Sequence, residues 1–561
     1  MYNFLIYIFY FYFFLISILG YGIVFQKFIY FNNINERKEI LLYLGFYGLL
    51  IVTFLSLLTS YFVPHDIYHN SIFHLLGVFF FIFLKFENKN KYLKHIILLS
   101  IFLFSALLIS KTHDDFSYYH LPFTKYLTEH KVIFGMGHLN HGYNLLSSLF
   151  YLNSTFYLPI INYFSFHFSV LYFLIFFNYF LLREIFSKET HPFVNYLYLF
   201  SIVYFNLSFN RLAEFGTDKA GQIIIVILII KLIQSTCFQN NKINFNKILY
   251  LIPLLALCIS LKTYFIPYIL LSLPILLFYS QKKEAFNNLI FSRSFVFFLV
   301  FLFLYFSHHF ISTGCLISPL EWTCFENFDW AREKSQIENL YKWLELWSKA
   351  GAGPNYRVED PSLYIKNFYW IPNWIDKYFI NKFLDQLALL FFCIVIIFFV
   401  FKNFKKKTNE IFFKKILPFY LLILVIFFIW FFKHPTLRYG GYSIFFLTFT
   451  IPISYFFCKY IDKTDFTKRF KVLLILIVLV FNIKNVNRIY KEFNRTDKYT
   501  YKNFPFYAIE QKKFSKKEFD NNFAIYSTVH HCWASPTPCG AVDDKIYVDK
   551  KNGYFFIKKL R

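Results

Sequence analysis

The stretch KTHDDFSYYHLPFTKYLTEHKVIFGMGHLNHGYN, residues 111–144, decides how the rest of the chain is interpreted. It follows an apolar run that ends near Ser110, and it gathers acidic and imidazole side chains: His113, Asp114, Asp115, His120, His138 and His141. Such side chains are costly to hold at the mouth of a membrane span and usually serve a function there. We therefore expect a polytopic membrane enzyme with its catalytic carboxylate in this segment.

The composition places the chain in a bilayer. Of its 561 residues, 57% are hydrophobic and 24% aromatic, and apolar runs of membrane-spanning length recur along it. The sequence therefore predicts an all-α polytopic membrane protein with about fourteen transmembrane helices. They are expected near residues 5–25, 39–63, 71–86, 95–110, 156–182, 194–208, 220–236, 247–261, 264–280, 294–310, 383–401, 416–432, 442–458 and 470–484.

The basic residues predict the orientation. The net charge of +25 is concentrated in short loops between apolar runs, which is the positive-inside pattern of cytoplasmic loops and argues against a nucleic-acid partner. These loops contain Arg37, Lys38, Lys89, Lys91, Lys94, Lys282, Lys283, Arg293, Lys402, Lys405, Lys406, Lys407, Lys463, Lys468 and Arg469. With the N-terminus outside, segments 111–144, 210–219, 311–382, 433–441 and the C-terminal tail all fall on the outer side.

The eight cysteines favour the same orientation. Cys315 and Cys324 share the long outer loop, and Cys532 and Cys539 share the tail, so both pairs can form disulfides in an oxidising compartment. The others, Cys237, Cys258, Cys393 and Cys458, lie in or beside apolar runs and are expected to be buried. We expect an integral protein of a bacterial inner (cytoplasmic) membrane, with its N-terminus and C-terminal domain outside the cytoplasm.

Two domains are predicted. Residues 1–484 form the transmembrane domain, with a first catalytic outer loop at 111–144 and a long outer loop at 311–382. Residues 485–561 form a small extracytoplasmic domain, α+β or containing a β-hairpin. Strands are expected at 524–527, 545–548 and 554–557, with Asn552-Gly553 as a hairpin turn.

Two further helices are predicted near the membrane surface. The long outer loop should contain a helix over residues 338–349, and 144–152 reads as an amphipathic interfacial helix. The long loop is rich in tryptophan, which fits either an aromatic belt at the interface or the stacking of sugar faces. Its tryptophans are Trp322, Trp330, Trp343, Trp347, Trp370 and Trp374.

Several residues are candidates for chemistry. Asp114 and Asp115 point in different directions, so one is expected in a cavity, where a carboxylate of raised pKa can deprotonate a hydroxyl. A helix cap with a surface charge is the alternative. His138-x-x-His141 has the spacing of metal ligands, although the surrounding glycines favour a loop. The cofactor is left open, with a divalent metal as one option.

The string His113-Asp114-Asp115, followed by Tyr118-Tyr119-His120-Leu121-Pro122, resembles the first outer-loop motif of the GT-C superfamily. These integral membrane glycosyltransferases use polyprenyl-phosphate sugars. The resemblance covers the motif and the overall topology, with Asp115 in place of the more usual Glu and with extra spans before the motif. It is greatest to uncharacterised bacterial members of the group.

The resemblance implies a reaction and a set of roles. Asp114 or Asp115 would be the general base that deprotonates a glycan, lipid or protein acceptor, and the sugar would be transferred with inversion. His113, Tyr118 and His120 of the motif would contact substrate.

The departing phosphate would need positive charge. Arg211, Lys219, Lys262 and Arg438 are the candidates, with Arg438 favoured beside Gly440-Gly441. Arg438 and Lys262 could instead contact lipid headgroups. Glu214 and Asp218 would either face the same cavity or form salt bridges within their loop.

Three other functions compete with sugar transfer. A polysaccharide polymerase or ligase shares the polytopic topology, the long outer loop and outer arginines. A transporter or flippase of lipid-linked sugar would carry charges at mid-membrane and inverted repeats, which the sequence lacks. A receptor or scaffold would use the tail to bind a partner.

Overall fold

The computed structural model describes residues 1–29, 41–187, 190–209, 212–215, 217–238, 245–278, 282–353, 358–401, 413–458, 463–494, 503–507, 509 and 512–560. Most of them are helical. The α-helices are Tyr2–Ile29, Leu44–Thr59, Ile67–Phe83, Lys89–Leu103, Leu121–Glu129, Ser148–Ser154, Phe168–Ile185, Pro192–Ser208, Thr217–Cys237, Phe245–Leu249, Ile252–Leu261, Ser272–Phe278, Lys282–Ile290, Arg293–Thr313, Lys334–Lys349, Pro361–Tyr364, Ile371–Trp374, Leu384–Phe401, Phe413–Lys433, Tyr442–Phe457 and Lys463–Phe493. The strands are Phe514–Phe519, Phe523–Thr528, Ile546–Lys551 and Tyr554–Lys559.

Ten helical segments in the described ranges are long and apolar enough to cross a membrane. Each coincides with a predicted span, which confirms a polytopic integral membrane protein. They are Tyr2–Ile29, Leu41–Thr59, Lys89–Leu108, Asn162–Ile185, Asp218–Cys237, Arg293–Thr313, Ile371–Phe401, Phe413–Lys433, Leu437–Phe457 and Lys468–Phe493.

Within the described ranges, fewer segments reach this length than the sequence prediction of about fourteen spans. The other four apolar runs are helical but shorter, at Ile67–Phe83, Pro192–Ser208, Lys247–Leu261 and Thr263–Ile275. A straight crossing of the hydrocarbon core needs about 20 residues. Proline limits one of these helices, because Pro267 interrupts the regular α-helical hydrogen bonding of the segment after Leu261.

The predicted interfacial helix over 144–152 is wrong in position and environment. The helix is Ser148–Ser154, and all of its residues are buried. Its polar groups have partners inside the bundle: Ser147 Oγ donates to the Leu261 carbonyl at 2.9 Å, and Ser148 Oγ lies 2.8 Å from Ser260 Oγ. Satisfied hydroxyls can be buried at little cost, so they do not by themselves indicate a surface helix.

The C-terminal residues form two antiparallel hairpins. Phe514–Phe519 pairs with Phe523–Thr528, and Ile546–Lys551 pairs with Tyr554–Lys559. The predicted turn is confirmed, with Asn552 and Gly553 both at positive φ, as a two-residue hairpin requires. The strand Phe514–Phe519 was not predicted, because four of its six side chains are exposed and its sequence FSKKEF is polar at the centre.

Both predicted disulfides are confirmed, Cys315–Cys324 and Cys532–Cys539. The other four cysteines are free and buried, as expected. Disulfides persist in oxidising compartments, which indicates an extracytoplasmic position for the C-terminal part. The last long helix continues to Phe493, beyond the domain boundary predicted at residue 484.

The hairpins dock on the segment 111–144. The Phe134 N–H donates to the Phe555 carbonyl at 2.9 Å, and the Ile557 N–H donates back to Phe134 at 2.8 Å. The Ala541 N–H donates to the Leu139 carbonyl at 2.9 Å. The tail therefore covers the segment that carries the acidic pair.

The segments assigned to the outer side meet at one end of the bundle. The Gly135 N–H donates to the Ile311 carbonyl at 2.9 Å, which joins segment 111–144 to the end of Arg293–Thr313. At the other end of that helix, Arg293 Nη1 donates to the Phe28 carbonyl at 2.9 Å. The acidic segment and the basic loop at 282–293 therefore lie at opposite ends of one helix.

We expect Gly135→Ala to loosen the tail from the membrane domain. Gly135 has φ +78°, and a Cβ there would lie 2.0 Å from the Ile557 carbonyl oxygen. A left-handed conformation alone costs about 1–2 kcal/mol for a non-glycine residue. Thermal unfolding and limited proteolysis between residues 494 and 514 measure the effect. Gly353→Ala, where a Cβ would meet nothing within 4 Å, should behave as wild type; equal behaviour of the two variants contradicts the prediction.

Candidate functional site

The segment that carries the acidic pair is held by hydrogen bonds before the pair and forms a helical turn after it. Glu492 of the last long helix accepts hydrogen bonds from the Ser110 N–H and hydroxyl, each at 2.7 Å, and from the Lys111 N–H at 3.1 Å. After the pair, Phe116–His120 forms one turn of π-helix. Such turns are frequent at functional sites, because the extra residue re-aims side chains.

Asp115 forms an ion pair with Arg438. Its Oδ2 lies 2.6 Å from Arg438 Nη2, and each side chain is 25% exposed. His113 Nδ1 is 3.6 Å from the same oxygen. The carboxylate makes no capping hydrogen bond, so the helix-cap alternative is wrong for Asp115.

The expected raised pKa is also wrong for Asp115. Burial acts to raise the pKa, but the charges of Arg438 and His120, the hydrogen bond from Arg438 and the charge of His113 together outweigh it, and the pKa falls well below its ordinary value of 3.8. Asp115 is therefore ionised at every physiological pH.

The ion pair continues into a chain of alternating charges. Arg438 Nε is 3.3 Å from Asp218 Oδ2, and Lys262 Nζ is 3.1 Å from Asp218 Oδ1. Arg438 Nε is within ion-pair distance of Asp218 without the geometry of a hydrogen bond. Two acids and two cations therefore neutralise one another, and Asp218 contacts two cations outside its own loop.

The turn that carries Arg438 has its backbone fixed by buried side chains. The Leu437 N–H donates to Tyr378 Oη at 2.8 Å, and the Leu437 carbonyl accepts from Gln222 Nε2 at 3.2 Å. Trp374 and Trp430 donate their indole N–H groups to the carbonyls of Pro435 and Thr436, each at 2.9 Å. These four contacts preorganise the guanidinium.

The charges border a cavity of about 800 Å³. Its walls combine acidic, cationic, imidazole and aromatic side chains. The lining residues are His113, Asp114, Asp115, Tyr118, Tyr119, His141, Gly142, Leu145, Lys262, Arg332, Gln336, Asn339, Leu340, Trp343, Leu344, Trp347, Ala352, Arg438, Tyr439 and His531. A cavity of this size and mixture of apolar walls with few charges is typical of ligand sites.

Asp114 differs from its neighbour. Its side chain is exposed and lines the cavity, and no ion pair or side-chain hydrogen bond is found for it in the described part of the chain. The backbone carbonyl alone is engaged, accepting from Ser117 Oγ at 3.1 Å. Of the two adjacent carboxylates, one is held by cations and the other faces the cavity.

The other predicted site residues divide into three groups. His113, Tyr118, Lys262 and Arg438 line the cavity with the acidic pair. His120 is buried behind it, with its ring 5.3 Å from the Phe150 ring. Arg211 and the side chain of Glu214 lie outside the described residues.

The possible metal pair is not assembled. His138 Nε2 donates to the Trp330 carbonyl at 3.0 Å, and both histidines sit in short 3₁₀ turns rather than on one helix face. Within the described ranges no group of three or more His, Cys, Asp or Glu side chains is placed to hold a metal ion.

Sequence reasoning missed one wall of the cavity. The predicted helix in the long loop is Lys334–Lys349, and Gln336, Leu340, Trp343 and Trp347 recur on one face of it at spacings of three and four. That spacing was a usable signal. Arg332, just before this helix, and His531 of the tail had no local signal. Trp343 and Trp347 therefore line the cavity, while Trp370 and Trp374 are buried.

The fold and the site define a class: a polytopic integral membrane protein with a charged cavity at one end of its helical bundle, closed by a disulfide-bonded tail. The chain belongs to the family described as a domain of unknown function (DUF8201), which matches residues 4–446. The match includes the acidic pair, Lys262, Arg332 and Arg438, and it ends before the tail. No curated protein and no solved structure matches the chain.

We expect Asp115→Asn and Arg438→Gln each to destabilise the protein. Breaking a buried pair costs about 3–5 kcal/mol; here partial exposure reduces the cost to about 1–3 kcal/mol. The double variant should recover part of that loss, since it leaves no unpaired charge between these two side chains. Thermal unfolding in detergent measures the coupling. Additive effects of the single substitutions would mean that the two residues do not interact.

Stability should fall as the pH drops from about 6.5 to about 4. Burial and the charge of Arg332 lower the pKa of His138 from 6.5 to about 4, and burial also lowers the pKa values of His130 and His141. In this window the unfolded chain binds protons that the folded protein does not. The melting temperature of His138→Gln should depend less steeply on pH than that of the wild type; an unchanged slope contradicts the prediction.

Proposed function

We propose that the protein is an integral membrane glycosyltransferase that moves a sugar from a polyprenyl-phosphate donor to a hydroxyl of a glycan, lipid or protein acceptor. The observation that carries the proposal is the shared cavity of Asp114, Asp115, Lys262 and Arg438 at one end of the bundle. It combines a free carboxylate for the acceptor with cations for a phosphate.

Asp114 is the general base in this proposal. It removes the proton from the acceptor hydroxyl as that oxygen attacks the anomeric carbon, and the carbon–phosphate oxygen bond breaks on the opposite face. Polyprenyl phosphate departs with the bonding electron pair, and the anomeric configuration inverts. Asp115 is less suited to this role, because the Arg438 guanidinium holds its pKa low and a weakly basic carboxylate abstracts protons poorly.

Arg438 and Lys262 receive the charge that develops on the leaving phosphate. One N–H of Arg438 is engaged by Asp115, and the guanidinium has five N–H groups in all. Asp115 thus orients the cation rather than reacting, and Asp218 does the same for Lys262 through its 3.1 Å contact. A preorganised cation needs no reorganisation when charge develops.

Two observations support a position of the cavity on the outer side of the membrane. The basic loop that ends at Arg293 lies at the opposite end of the bundle from the cavity, and the disulfides belong to the end that holds the cavity. We therefore assign the reaction to the outer face of a bacterial inner membrane, with membrane lipid around the donor and with both termini outside. Trp343 and Trp347 supply flat apolar walls for the sugar or the first prenyl units.

Replacing the two carboxylates separately tests the assignment. Asp114→Asn should lower kcat by about 10²–10⁴-fold without changing the melting temperature, because general-base catalysis contributes about that factor. Asp115→Asn should lower both activity and stability. The measurement is transfer from a radiolabelled polyprenyl-phosphate sugar in membranes that contain the variant. Exposed Asp544→Asn serves as the control.

Full activity of both Asp114→Asn and Asp115→Asn would exclude the transferase mechanism. Consumption of lipid-diphosphate-linked oligosaccharide instead of the monophosphate sugar would favour the polymerase or ligase alternative.

A further inference from the structure

A second cavity, of about 350 Å³, opens beside the first. It lies between the turn at residues 137–141 and residues 528–541 of the tail, so it exists only because the tail is docked. The two cavities share three lining residues, Tyr118, His141 and Arg332. These side chains therefore stand between the two cavities and border both.

Arg332 is fixed at the junction by neutral groups. Its Nε and Nη2 donate to Gln336 Oε1 at 3.2 and 3.1 Å, and its Nη1 donates to the Gly137 carbonyl at 3.3 Å. Its backbone N–H donates to the Thr313 carbonyl at 3.0 Å. These acceptors orient the guanidinium without cancelling its charge.

Within the described residues, no carboxylate forms an ion pair with Arg332, in contrast to the other two cations that line the first cavity. Arg438 pairs with Asp115, and Lys262 pairs with Asp218, whereas Arg332 forms no ion pair with a carboxylate within the described residues. Glu333, its neighbour in sequence, is the carboxylate that acts on it electrostatically. Both cavities thus border one oriented, unpaired cation.

The groups around Arg332 do not supply the missing negative charge. Burial and Arg332 itself hold the pKa values of His138 and His141 low, so both rings are neutral at physiological pH. Lys559 and Asp543 also face His138, and they pair with each other at 2.5 Å. A half-buried guanidinium in such surroundings favours an incoming oxyanion.

We propose that the second cavity is the acceptor subsite, and that Arg332 binds an oxyanion, phosphate or carboxylate, carried by a hydroxylated acceptor. The acceptor assignment rests on the proposed function; the anion site itself does not. The walls fit a hydroxylated molecule, because Thr528 and His530 bring polar side chains and, among the described residues, no tryptophan lines this cavity. The larger cavity, with Trp343, Leu340 and Leu344, suits the lipid-linked donor better.

The proposal gives the tail a function. Residues 528–541 form one wall of the subsite, and the Cys532–Cys539 disulfide closes the loop that supplies it. This wall lies outside residues 4–446, the part matched by the family. The acceptor would thus be selected by the tail, while Asp114, Asp115, Lys262 and Arg438 of the larger cavity lie within the family domain.

Binding of soluble sugars to the purified full-length protein in detergent tests the subsite without any transfer reaction. Glucose 6-phosphate and glucuronate should both bind, and neutral glucose should bind at least roughly tenfold more weakly, as expected for loss of a charge-assisted hydrogen bond. Arg332→Gln should remove the preference for the anions, and Arg332→Lys should retain part of it. Lys334→Gln removes an exposed cation two residues away and should leave binding unchanged.

A second substitution distinguishes binding in the second cavity from binding in the first. Ala541→Leu fills the second cavity alone and should weaken both anionic sugars, whereas decyl phosphate, a mimic of the donor phosphate, should bind this variant as it binds the wild type. The melting temperature of each variant shows that it is folded.

The proposal is overturned if glucose binds as tightly as the anions, or if Ala541→Leu leaves sugar binding intact. It is also overturned if Arg332→Gln abolishes only decyl phosphate binding, which would assign Arg332 to the donor. Anion binding as expected, together with no consumption of lipid-linked sugar, would leave the anion site standing and refute the transferase proposal.

Discussion

Four charges at the end of an apolar bundle must neutralise one another, and the rest of the site depends on this constraint. Lys262, Asp218, Arg438 and Asp115 alternate in sign along a chain of contacts between 2.6 and 3.3 Å. Each is at most a quarter exposed, so an unpaired member would pay a large desolvation cost. The alternation fixes four separate elements in one arrangement: the acidic segment, the helix that begins at Thr217, the end of the helix Ile252–Leu261 at Lys262, and the turn at Arg438.

The membrane domain could be predicted from the sequence because its signal is local. A run of about 20 apolar residues must be helical in lipid, since no water is present to satisfy its backbone. All ten spans coincide with predicted runs for this reason. The four other predicted runs, near Ile67, Pro192, Lys247 and Thr263, are helical but shorter, and their lengths were harder to predict because hydropathy alone does not mark where a helix ends.

The sequence could predict several residues of the site but not how they interact, because those interactions are not local. Residue type and position near a span picked out Asp115 and Arg438, although 323 residues separate them. The surroundings of each side chain depend on contacts with residues that are similarly far away in the sequence. Glu492 fixes Ser110 from the last long helix, and Trp533 of the tail donates its backbone N–H to the Ser117 carbonyl at 3.0 Å. Arg332 has no distinguishing sequence context and became visible only through the two cavities that it borders.

The adjacent aspartates illustrate how neighbouring residues of one type acquire different properties. Because they start a helical turn, their side chains diverge, and only one of them can meet Arg438. Pairing with Arg438 keeps the Asp115 carboxylate ionised and weakly basic, while the Asp114 side chain is exposed and lines the cavity. A single acid could not do both, since the cation that orients it also lowers its basicity. If the proposed transfer reaction is right, a duplicated carboxylate separates the holding of the cation from proton transfer, which is a physical reason for an acidic pair, and not one aspartate, at this place in the chain.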